Sequence, residues 1–329
     1  MSKLLAVGLT GSHLTAFTAD KDATANLDGS GAAFAVAGIE RIDGSPPEDL
    51  ALEPTIAAAL LAARAPRLAL LAATAPHHDH PYNVARRVAS LDHLSQGRSG
   101  VLLGLRDAYA PGRDGWGSAG LTPGVPLGTA TTRDAAQAVA RLWQTWPRES
   151  IVADRATGIY ARGERIVFAD HRGVFDVTGP LTVPSTVQGA PVLAWYADST
   201  EAVTAAEGAD LVVLGDADAI AEAVTALDGH TARRPLLFVR IDHDGDVTAT
   251  LTRAEAAAAH PRVDGILLRP ATPFQAALQT LTEVVPALLA RGTVRTSAED
   301  TLRARLALPA PEPLLADARP VFAAPEPLR

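Results

Sequence analysis

The chain has 329 residues, of which 29 are Lys or Arg and 37 are Asp or Glu, so its formal net charge is −8. A chain with 47% hydrophobic and 20% charged residues fits a folded globular protein, and its acidic balance argues against nucleic acid or an anionic membrane surface as the main partner. It contains no cysteine, which excludes disulfides, thiol nucleophiles, iron–sulfur clusters and cysteine zinc sites.

Short apolar runs alternate with alanine-rich helical runs along most of the chain. The candidate strands are Leu4–Leu9, Ala33–Ile42, Arg67–Thr74, Gly100–Leu105, Pro191–Trp195, Ala209–Leu214, Pro235–Ile241 and Val263–Leu268. The candidate helices are Pro54–Ala65, Pro81–His93, Arg133–Trp146, Thr200–Glu207, Ala217–Leu227, Arg253–His260 and Phe274–Arg291. Eight strands separated by helices predict a (β/α)8 barrel, although a doubly wound sheet would also alternate.

Three parts of the chain depart from this alternation. Thr18–Gly31 is polar and contains glycine, so the first helix is expected to be reduced. Residues 106–190 are too many for one crossover, and within them Arg165–Val177 predicts a hairpin-like excursion. Pro309–Arg329 is rich in proline and alanine and is expected to wrap the surface or to be loose. We therefore predict one domain, residues 1–308, followed by a tail, residues 309–329.

The sequence predicts neither a membrane span nor a leader. Its longest apolar stretch, Ile56–Leu71, is interrupted by Arg64, Pro66 and Arg67 and is too short and too charged to cross a bilayer. The first residues, Met1–Asp20, are typical of a first strand and not of a signal peptide. A cytoplasmic location is the expectation that follows.

One stretch is more specific than the rest of the chain: HPYNVARRVASLDHLSQGR, at His80–Arg98. It closely resembles the motif before strand 4 in one branch of the luciferase-like flavin monooxygenases, which contains nitrilotriacetate monooxygenase component A, dibenzothiophene-sulfone monooxygenase and pristinamycin synthase. Further stretches are similar to that branch in the same order: Leu50–Ala75, Ala140–Ala161, Asp170–Leu193, Val263–Ala271, Glu283–Thr296 and Thr301–Leu308. On these matches the chain is identified as a divergent, shortened member of the family.

The resemblance implies a (β/α)8 TIM barrel of the bacterial luciferase-like type, with residues 106–190 as the family's insertion between strands 4 and 5. It implies a two-component monooxygenase that takes reduced FMN from a separate NADH:flavin reductase and uses O₂ to oxygenate a small organic substrate. Related barrels use a deazaflavin, although this branch favours FMN. The flavin would supply the chemistry, and the protein would bind it, orient it and exclude water. A homodimer, or a heterodimer with a related barrel, is also implied.

In a barrel, functional residues lie at the carboxyl ends of the strands. His13, after the first strand, is a candidate catalytic group that would hydrogen-bond flavin or a peroxide, or else a partly exposed loop histidine. Asp43, after the second strand, falls where the family has an aspartate near the flavin, although Ile-Asp-Gly-Ser also favours a plain turn. After the third strand, His77 is a candidate catalytic group and His78 a further pocket group, where the family has hydroxyl residues. No metal site is predicted there, because consecutive residues cannot easily aim at one ion.

The candidate flavin contacts after strands 4 and 5 differ from the family pattern. The family's Asn, Thr and Ser after strand 4 are absent here, which leaves Arg106 as the candidate to replace their contacts with flavin. After strand 5, Ser199 and Thr200 keep the hydroxyl chemistry of the family's FMN phosphate turn. Asp198 beside them would repel a phosphate, and the same residues also favour a plain helix N-cap.

Arg269, after strand 8, resembles a family arginine at that point. It is a candidate to bind an anionic substrate group or to stabilise a peroxide, or else to pair with a loop carboxylate such as Asp242 or Asp244. In the His80–Arg98 motif most residues are expected to be structural. Arg86 and Asp92 are plausible partners in a network that fixes strand 4.

Two functional hypotheses follow. The first is a monooxygenase that uses reduced FMN and O₂ itself. The second is a non-catalytic paralogue that keeps the barrel and serves as a partner subunit or binding protein. The second is motivated by the replaced run after strand 4, the reduced first helix and the short connection at residues 242–262, where the family has a longer lid-forming insertion. Loss of a lid would leave a bound reaction intermediate open to water.

Overall fold

The computed structural model of the chain describes residues 2–49, 52–76, 79–109, 127–230 and 233–322. The barrel strands are β1 (Lys3–Leu9), β2 (Phe34–Ala37), β3 (Leu70–Thr74), β4 (Ser99–Leu103), β5 (Val192–Ala197), β6 (Leu211–Leu214), β7 (Leu236–His243) and β8 (Gly265–Pro270). Each strand pairs in parallel with the next, and β1 pairs with both β2 and β8, which closes the barrel. A short strand, β9 (Val294–Arg295), pairs with the beginning of β1. The predicted (β/α)8 barrel is confirmed, and the doubly wound alternative is wrong.

Helices connect the strands and cover the outside of the barrel. They are α1 (Gly11–Ala19), α2 (Lys21–Gly29), α3 (Pro54–Arg64), α4 (Pro81–Leu94), α5 (Thr129–Leu142), α6 (Thr200–Ala205), α7 (Ile220–Asp228), α8 (Val247–Ala259), α9 (Phe274–Gln279), α10 (Val285–Ala290) and α11 (Leu302–Arg305). A π-helical turn, Thr280–Val284, joins α9 to α10. The two proline-initiated helices α3 and α4 begin at the predicted residues, because a proline in the first turn has no hydrogen bond to lose there.

The expectation of a reduced first helix is wrong for Thr18–Gly31, because helices α1 and α2 fill most of the connection between β1 and β2. The side chain of Asp20 caps α2 by accepting from the backbone N–H groups of Asp22 and Ala23. Buried Leu27 anchors the helix on the barrel. The polar composition predicted a loop, but a good cap and the two buried apolar side chains Ala23 and Leu27 are enough for a short helix that packs.

The end of β2 and the beginning of α8 also differ from the predicted residues, for local reasons. Strand β2 ends at Ala37, because Gly38 takes a left-handed conformation, φ +77°, and a 3₁₀ turn follows at Ile39–Arg41. Helix α8 begins at Val247, well before the predicted Arg253, since Asp246 accepts from the N–H of Ala249 and acts as its cap.

The insertion between β4 and β5 and the C-terminal tail pack on each other. The expected hairpin at Arg165–Val177 is reduced to a single antiparallel bridge between its residues 171 and 177. Val321 donates its N–H to the carbonyl of Ile166 at 2.7 Å, and the guanidinium of Arg319 lies 4.1 Å from the ring centre of Phe168. The described part of the tail therefore wraps the insertion.

Side chains alternate between the inside of the barrel and the helix layer, as the strand period requires. The inward set forms one buried cluster that includes Leu4, Phe34, Leu71, Leu102, Val213, Phe238 and Leu267. The outward set and the helices form a second, larger cluster. In the described part of the chain, no helix has the length and apolar character that crossing a bilayer requires.

Candidate functional site at the barrel mouth

The mouth of the barrel is formed where the strands end at their carboxyl termini. The inward residues there include Gly8, Gly104, Tyr196, Gly215, Arg240 and Arg269. The segment that leaves β2, Gly38–Ser45, crosses this opening, and we call it the mouth segment. It contacts residues that follow or belong to β1, β4, β7 and β8.

Two isoleucines of the mouth segment fill the opening. Ile39 is completely buried beside Gly8, where an added Cβ would come within 2.9 Å of the Ile39 Cδ1 atom. Ile42 is 6% exposed and lies against Gly104 so closely that an added Cβ there would overlap the Ile42 Cβ. The two glycines thus leave the space that the isoleucine side chains occupy.

Asp43 and Arg269, two residues predicted separately, form one ion pair under the mouth segment. Arg269 Nε donates to Asp43 Oδ2 at 3.0 Å, and Arg269 Nη2 donates to the Oγ atom of Ser45 at 2.7 Å. The Asp43 side chain is 0% exposed and that of Arg269 is 13% exposed. The partner of Arg269 is therefore Asp43, and not Asp242 or Asp244.

A second arginine, Arg240, joins this network and was missed from the sequence. Its Nη1 atom donates to the Tyr196 hydroxyl at 2.7 Å and to the backbone oxygen of Asp43 at 3.3 Å, and its Nη2 donates to Asp242 at 3.2 Å. Burial alone would lower the pKa of Arg240, but the surrounding oxygens of Tyr196, Asp242 and Asp43 outweigh burial and raise it. Burial also raises the pKa of Tyr196, so the phenol stays protonated. One signal was available in the sequence, because Arg240 is a charged residue at an inward position of the apolar strand β7.

The other side of the mouth segment is held by the loop after β4. Arg41 pairs with Asp107 at 2.8 Å, and its guanidinium lies 4.7 Å from the ring centre of Tyr109. The Tyr109 hydroxyl donates to Glu40 Oε1 at 3.2 Å and accepts from the N–H of Glu48 at 3.1 Å. Ionic and hydrogen-bonded contacts therefore fix the segment at both ends.

Glu40 is a fully buried carboxyl group in this arrangement. Burial raises its pKa to about 7, and the nearby carboxylate of Glu48 acts in the same direction. Its Oε2 atom has no hydrogen-bond partner among the described residues. A protonated carboxyl is the form that such a site favours, because an unpaired buried charge is costly.

His13 lies in the first turn of α1 and is buried, in contrast to the partly exposed loop position that the sequence allowed. Its Nδ1 accepts from the Thr10 N–H at 3.3 Å, which leaves the proton on Nε2, and Nε2 donates to the carbonyl of Ala271 at 2.9 Å. Burial lowers its pKa. The neutral ring therefore ties the start of α1 to the segment after β8, and both nitrogens are already used.

The remaining candidates do not converge on the mouth network. Ser199 is the N-cap of α6, with its Oγ accepting from the N–H of Ala202 at 3.3 Å, and Thr200 is the exposed first residue of that helix. Arg106 is exposed and has no hydrogen bond or ion pair with another described residue. The predicted catalytic His77, like its neighbour 78, lies outside the described residues.

The His80–Arg98 motif has a structural role at Asp92. Its Oδ1 atom accepts from the N–H of Ser99 and from Nε2 of Gln188, both at 2.8 Å, which fixes the beginning of β4. Arg86, the predicted partner of Asp92, is exposed, whereas Asp92 is completely buried, and no ion pair joins these two described residues, so that pairing is wrong. The described residues hold no group of three or more His, Asp or Glu side chains arranged for a metal ion.

We compared the chain with characterised proteins. No family model matches it. A pristinamycin IIA synthase component of Streptomyces pristinaespiralis is 32% identical over 242 residues, which cover 70% of this chain and 76% of that protein. The chain belongs to the luciferase-like flavin monooxygenases. Dibenzothiophene-sulfone monooxygenase of Rhodococcus erythropolis is 35% identical over 149 residues, but this match spans only 44% of the chain and 32% of that protein.

Solved structures agree on the fold of this luciferase-like chain. A long-chain alkane monooxygenase superposes with a TM-score of 0.70 at 14% identity, over 93% of this chain and 95% of the other. The EDTA monooxygenase from Chelativorans sp. BNC1 gives a TM-score of 0.69 at 17% identity, over 94% and 99% of the two chains. At these identities the likeness concerns the barrel alone.

The flavin that the luciferase-like family uses does not fit the mouth in the described arrangement. A flavin ring needs an open slot with donors for its carbonyl groups. Here Ile39 and Ile42 fill the opening, and the polar groups of Asp43 and Arg269 are directed at each other. The carboxyl end of strand β4, Val101–Leu103, adds only aliphatic side chains, and Ser199 already caps α6.

Proposed function

We propose that this chain is one component of a two-component flavin-dependent monooxygenase, in which a separate NADH:flavin reductase supplies reduced FMN and O₂ oxygenates a small organic substrate. Within that enzyme its role is that of a partner to a flavin-binding barrel. The filled mouth is the observation that carries this role. Since function depends on the site and not on the fold, a barrel whose mouth is closed does not inherit the family's chemistry.

Opening the mouth would be costly. It would separate Asp43 from Arg269 and Arg41 from Asp107, and breaking a buried ion pair destabilises a protein by several kcal/mol. It would also expose Ile39 and Ile42, at about 1.5–3 kcal/mol for each fully exposed side chain. The closed arrangement is therefore the stable one for this chain alone.

A surface suited to a partner barrel lies on helices α3 and α4. Ile56, Leu60 and Leu94 are 62%, 46% and 72% exposed, and they line one apolar groove between the two helices. Exposed large apolar side chains that cluster in this way favour a protein interface. The match over most of its length to a protein named as part of a multi-subunit synthase supports an assembled state. A heterodimer with a related, flavin-binding barrel is the assembly that the partner role requires, whereas a homodimer belongs to the second candidate role.

A second candidate role is oxygenation by this chain itself. It is favoured by Arg240 and Arg269, whose side chains keep 18% and 13% exposure at the end of the barrel where barrel enzymes bind substrates. If the mouth segment withdrew, the two guanidinium groups would face an anionic substrate or a developing negative charge.

Anaerobic titration of the chain alone with reduced FMN, followed by calorimetry, separates the two roles. The partner role predicts no binding of reduced or oxidised FMN. Micromolar binding of reduced FMN, about −8 kcal/mol, would overturn the partner role and support the second candidate. Added flavin reductase, NADH and O₂ would then be used to screen substrates.

A further inference from the structure

A large cavity lies at the end of the barrel opposite the mouth. It has a volume of about 880 Å³ and opens beside the residues that precede β5 and β6, Pro191 and Asp210. Helix α5 forms one wall, and the described tail, from Pro309 to Leu314, forms another. This volume is in the range that encloses small-molecule ligands.

Five arginines line this cavity: Arg133, Arg141, Arg172, Arg233 and Arg303. Asp210 accepts from both terminal nitrogens of Arg303 at 2.9 Å and from Arg233 Nη2 at 2.9 Å. Two guanidinium groups therefore share one carboxylate, which leaves one positive charge in excess at this wall.

Two other arginines are oriented by backbone oxygens. Arg141 donates from Nε and Nη2 to the carbonyl of Ala169 at 2.9 and 2.6 Å, and Arg133 Nε donates to the carbonyl of Ala205 at 3.2 Å. Within the described residues, neither has a carboxylate at ion-pair distance. A carbonyl fixes the direction of a guanidinium but does not cancel its charge. Arg141 also donates from Nη1 to the carbonyl of Leu314 at 3.3 Å, so Arg133, which donates to described residues only through Nε, is the one more available to an anion.

Acidic groups also line the cavity and limit its excess of positive charge. Asp170 is held by Arg319 at 3.6 Å, and Arg172 lies 3.8 Å from Asp176. Glu207 and Glu312 are the other carboxylates of the lining. The charge bias is therefore local, around Asp210 and the arginines of α5.

The tail forms a fixed wall of the cavity. Arg303 donates from Nε and Nη2 to the carbonyl of Pro309 at 3.1 and 3.0 Å. Gln144 donates to the carbonyl of Glu312 and accepts from the N–H of Leu314, both at 2.9 Å. These bonds keep the cavity walls together, so the arginines of α5 and of α11 line the same open cavity.

We propose that this cavity binds a small organic anion that carries a carboxylate or phosphate group on a compact carbon skeleton. Arg133 and the half-exposed Arg233 receive the anionic group, since a guanidinium matches both groups with paired hydrogen bonds. Ala136, Pro191 and Pro311 give the skeleton an apolar contact surface. The site is independent of the mouth and of the proposed partner role.

Calorimetric titration of the whole chain with AMP, citrate and adenosine tests this site. AMP and citrate supply a phosphate and carboxylates, and adenosine keeps the skeleton of AMP without its charge. We expect saturable binding of AMP or citrate with a Kd below about 1 mM, and none of adenosine. If neither anion saturates, or if adenosine binds as well as AMP, the proposal is overturned.

A variant series locates the binding. Arg133→Gln combined with Arg233→Gln is expected to weaken binding at least about tenfold, because each lost charge-assisted hydrogen bond contributes strongly. Arg64→Gln removes one positive charge from an exposed position on α3, as each single variant does from the cavity, and should leave binding unchanged. The single variants replace the double variant if its thermal unfolding is impaired. Equal affinity in wild type and in variants that remain folded would contradict the assignment.

Discussion

Asp43 is one carboxylate between two arginines, and its removal should reveal how strongly the mouth segment is fixed. Asp43→Asn leaves Arg269 and Arg240 without their buried counter-charge. We expect the free energy of unfolding in urea to fall by about 2–4 kcal/mol, less than for a fully buried pair because both guanidinium groups keep some exposure. Asp242→Asn, at a carboxylate that is 56% exposed, should cost less than about 1 kcal/mol. Equal small losses in both variants would mean that the network does not hold the segment.

Glu40 makes stability depend on pH. Its pKa is raised from 4.5 to about 7, so the folded chain binds this proton more tightly than the unfolded chain. The contribution of Glu40 to the free energy of unfolding is therefore fully present below about pH 4.5. It is lost as the pH rises to about 7 and remains lost at higher pH.

Glu40→Gln removes that dependence, because the amide stays neutral at every pH. We expect the variant to gain up to about 2–3 kcal/mol relative to wild type at pH 8 and little at pH 4.5. Urea unfolding at both pH values measures the difference. Burial also raises the pKa of Asp92, to about 6. Asp92 gives wild type and variant the same pH dependence of stability, so its effect cancels in the comparison. Parallel pH profiles would rule out a buried, proton-binding Glu40.

The sequence identified Asp43 and Arg269 as interesting residues but not as a pair. They are far apart in the chain, and their contact depends on how Gly38 turns the mouth segment back across the barrel. His13 shows the same limit, because its second hydrogen bond goes to Ala271 after the last barrel strand. Residue types and local spacing can be read from a sequence, whereas partners brought together by barrel closure cannot.

At the level of elements, variants in the first turn of α2 and at its cap test why this polar segment is helical. Asp20→Ala removes the side chain that accepts from two N–H groups of the first turn, and we expect a loss of about 1 kcal/mol in the free energy of unfolding. Asp22→Ala, at an exposed position in the same turn, should lower the free energy of unfolding by only a few tenths of a kcal/mol. Circular dichroism and urea unfolding measure both. Similar effects at the two positions would show that the cap is unimportant.

The strands and the longer helices were predictable because each carries its own signal. Helix α4 begins with a proline and has apolar residues at helical spacing, and β8 is a short apolar run. The helices between β1 and β2 could not be predicted in the same way, because they depend on two caps and on burial against the barrel. The early end of β2 depends on a single glycine conformation, which composition does not reveal.

At the level of the whole molecule, the α3–α4 groove predicts association. Leu94→Glu places a charge on its most exposed large side chain, and we expect the sedimentation coefficient to shift from dimer towards monomer if the chain pairs with itself. Ile159→Glu, at a 48% exposed apolar residue of the insertion, is the matched control and should not change the assembly. A wild-type chain that is monomeric at all concentrations would exclude the homodimer and leave only pairing with a different barrel.

The pairing of β1 with β8 has a consequence for how the protein is made. Leu4 leaves the ribosome some 260 positions before its partner Gly265. At roughly 5–20 residues per second, one edge of β1 stays without its neighbour for on the order of ten to fifty seconds. Unpaired strand edges are the places where chains join incorrectly. The newly made chain therefore needs protection during its own synthesis, and its yield should respond to translation speed and to the supply of chaperones.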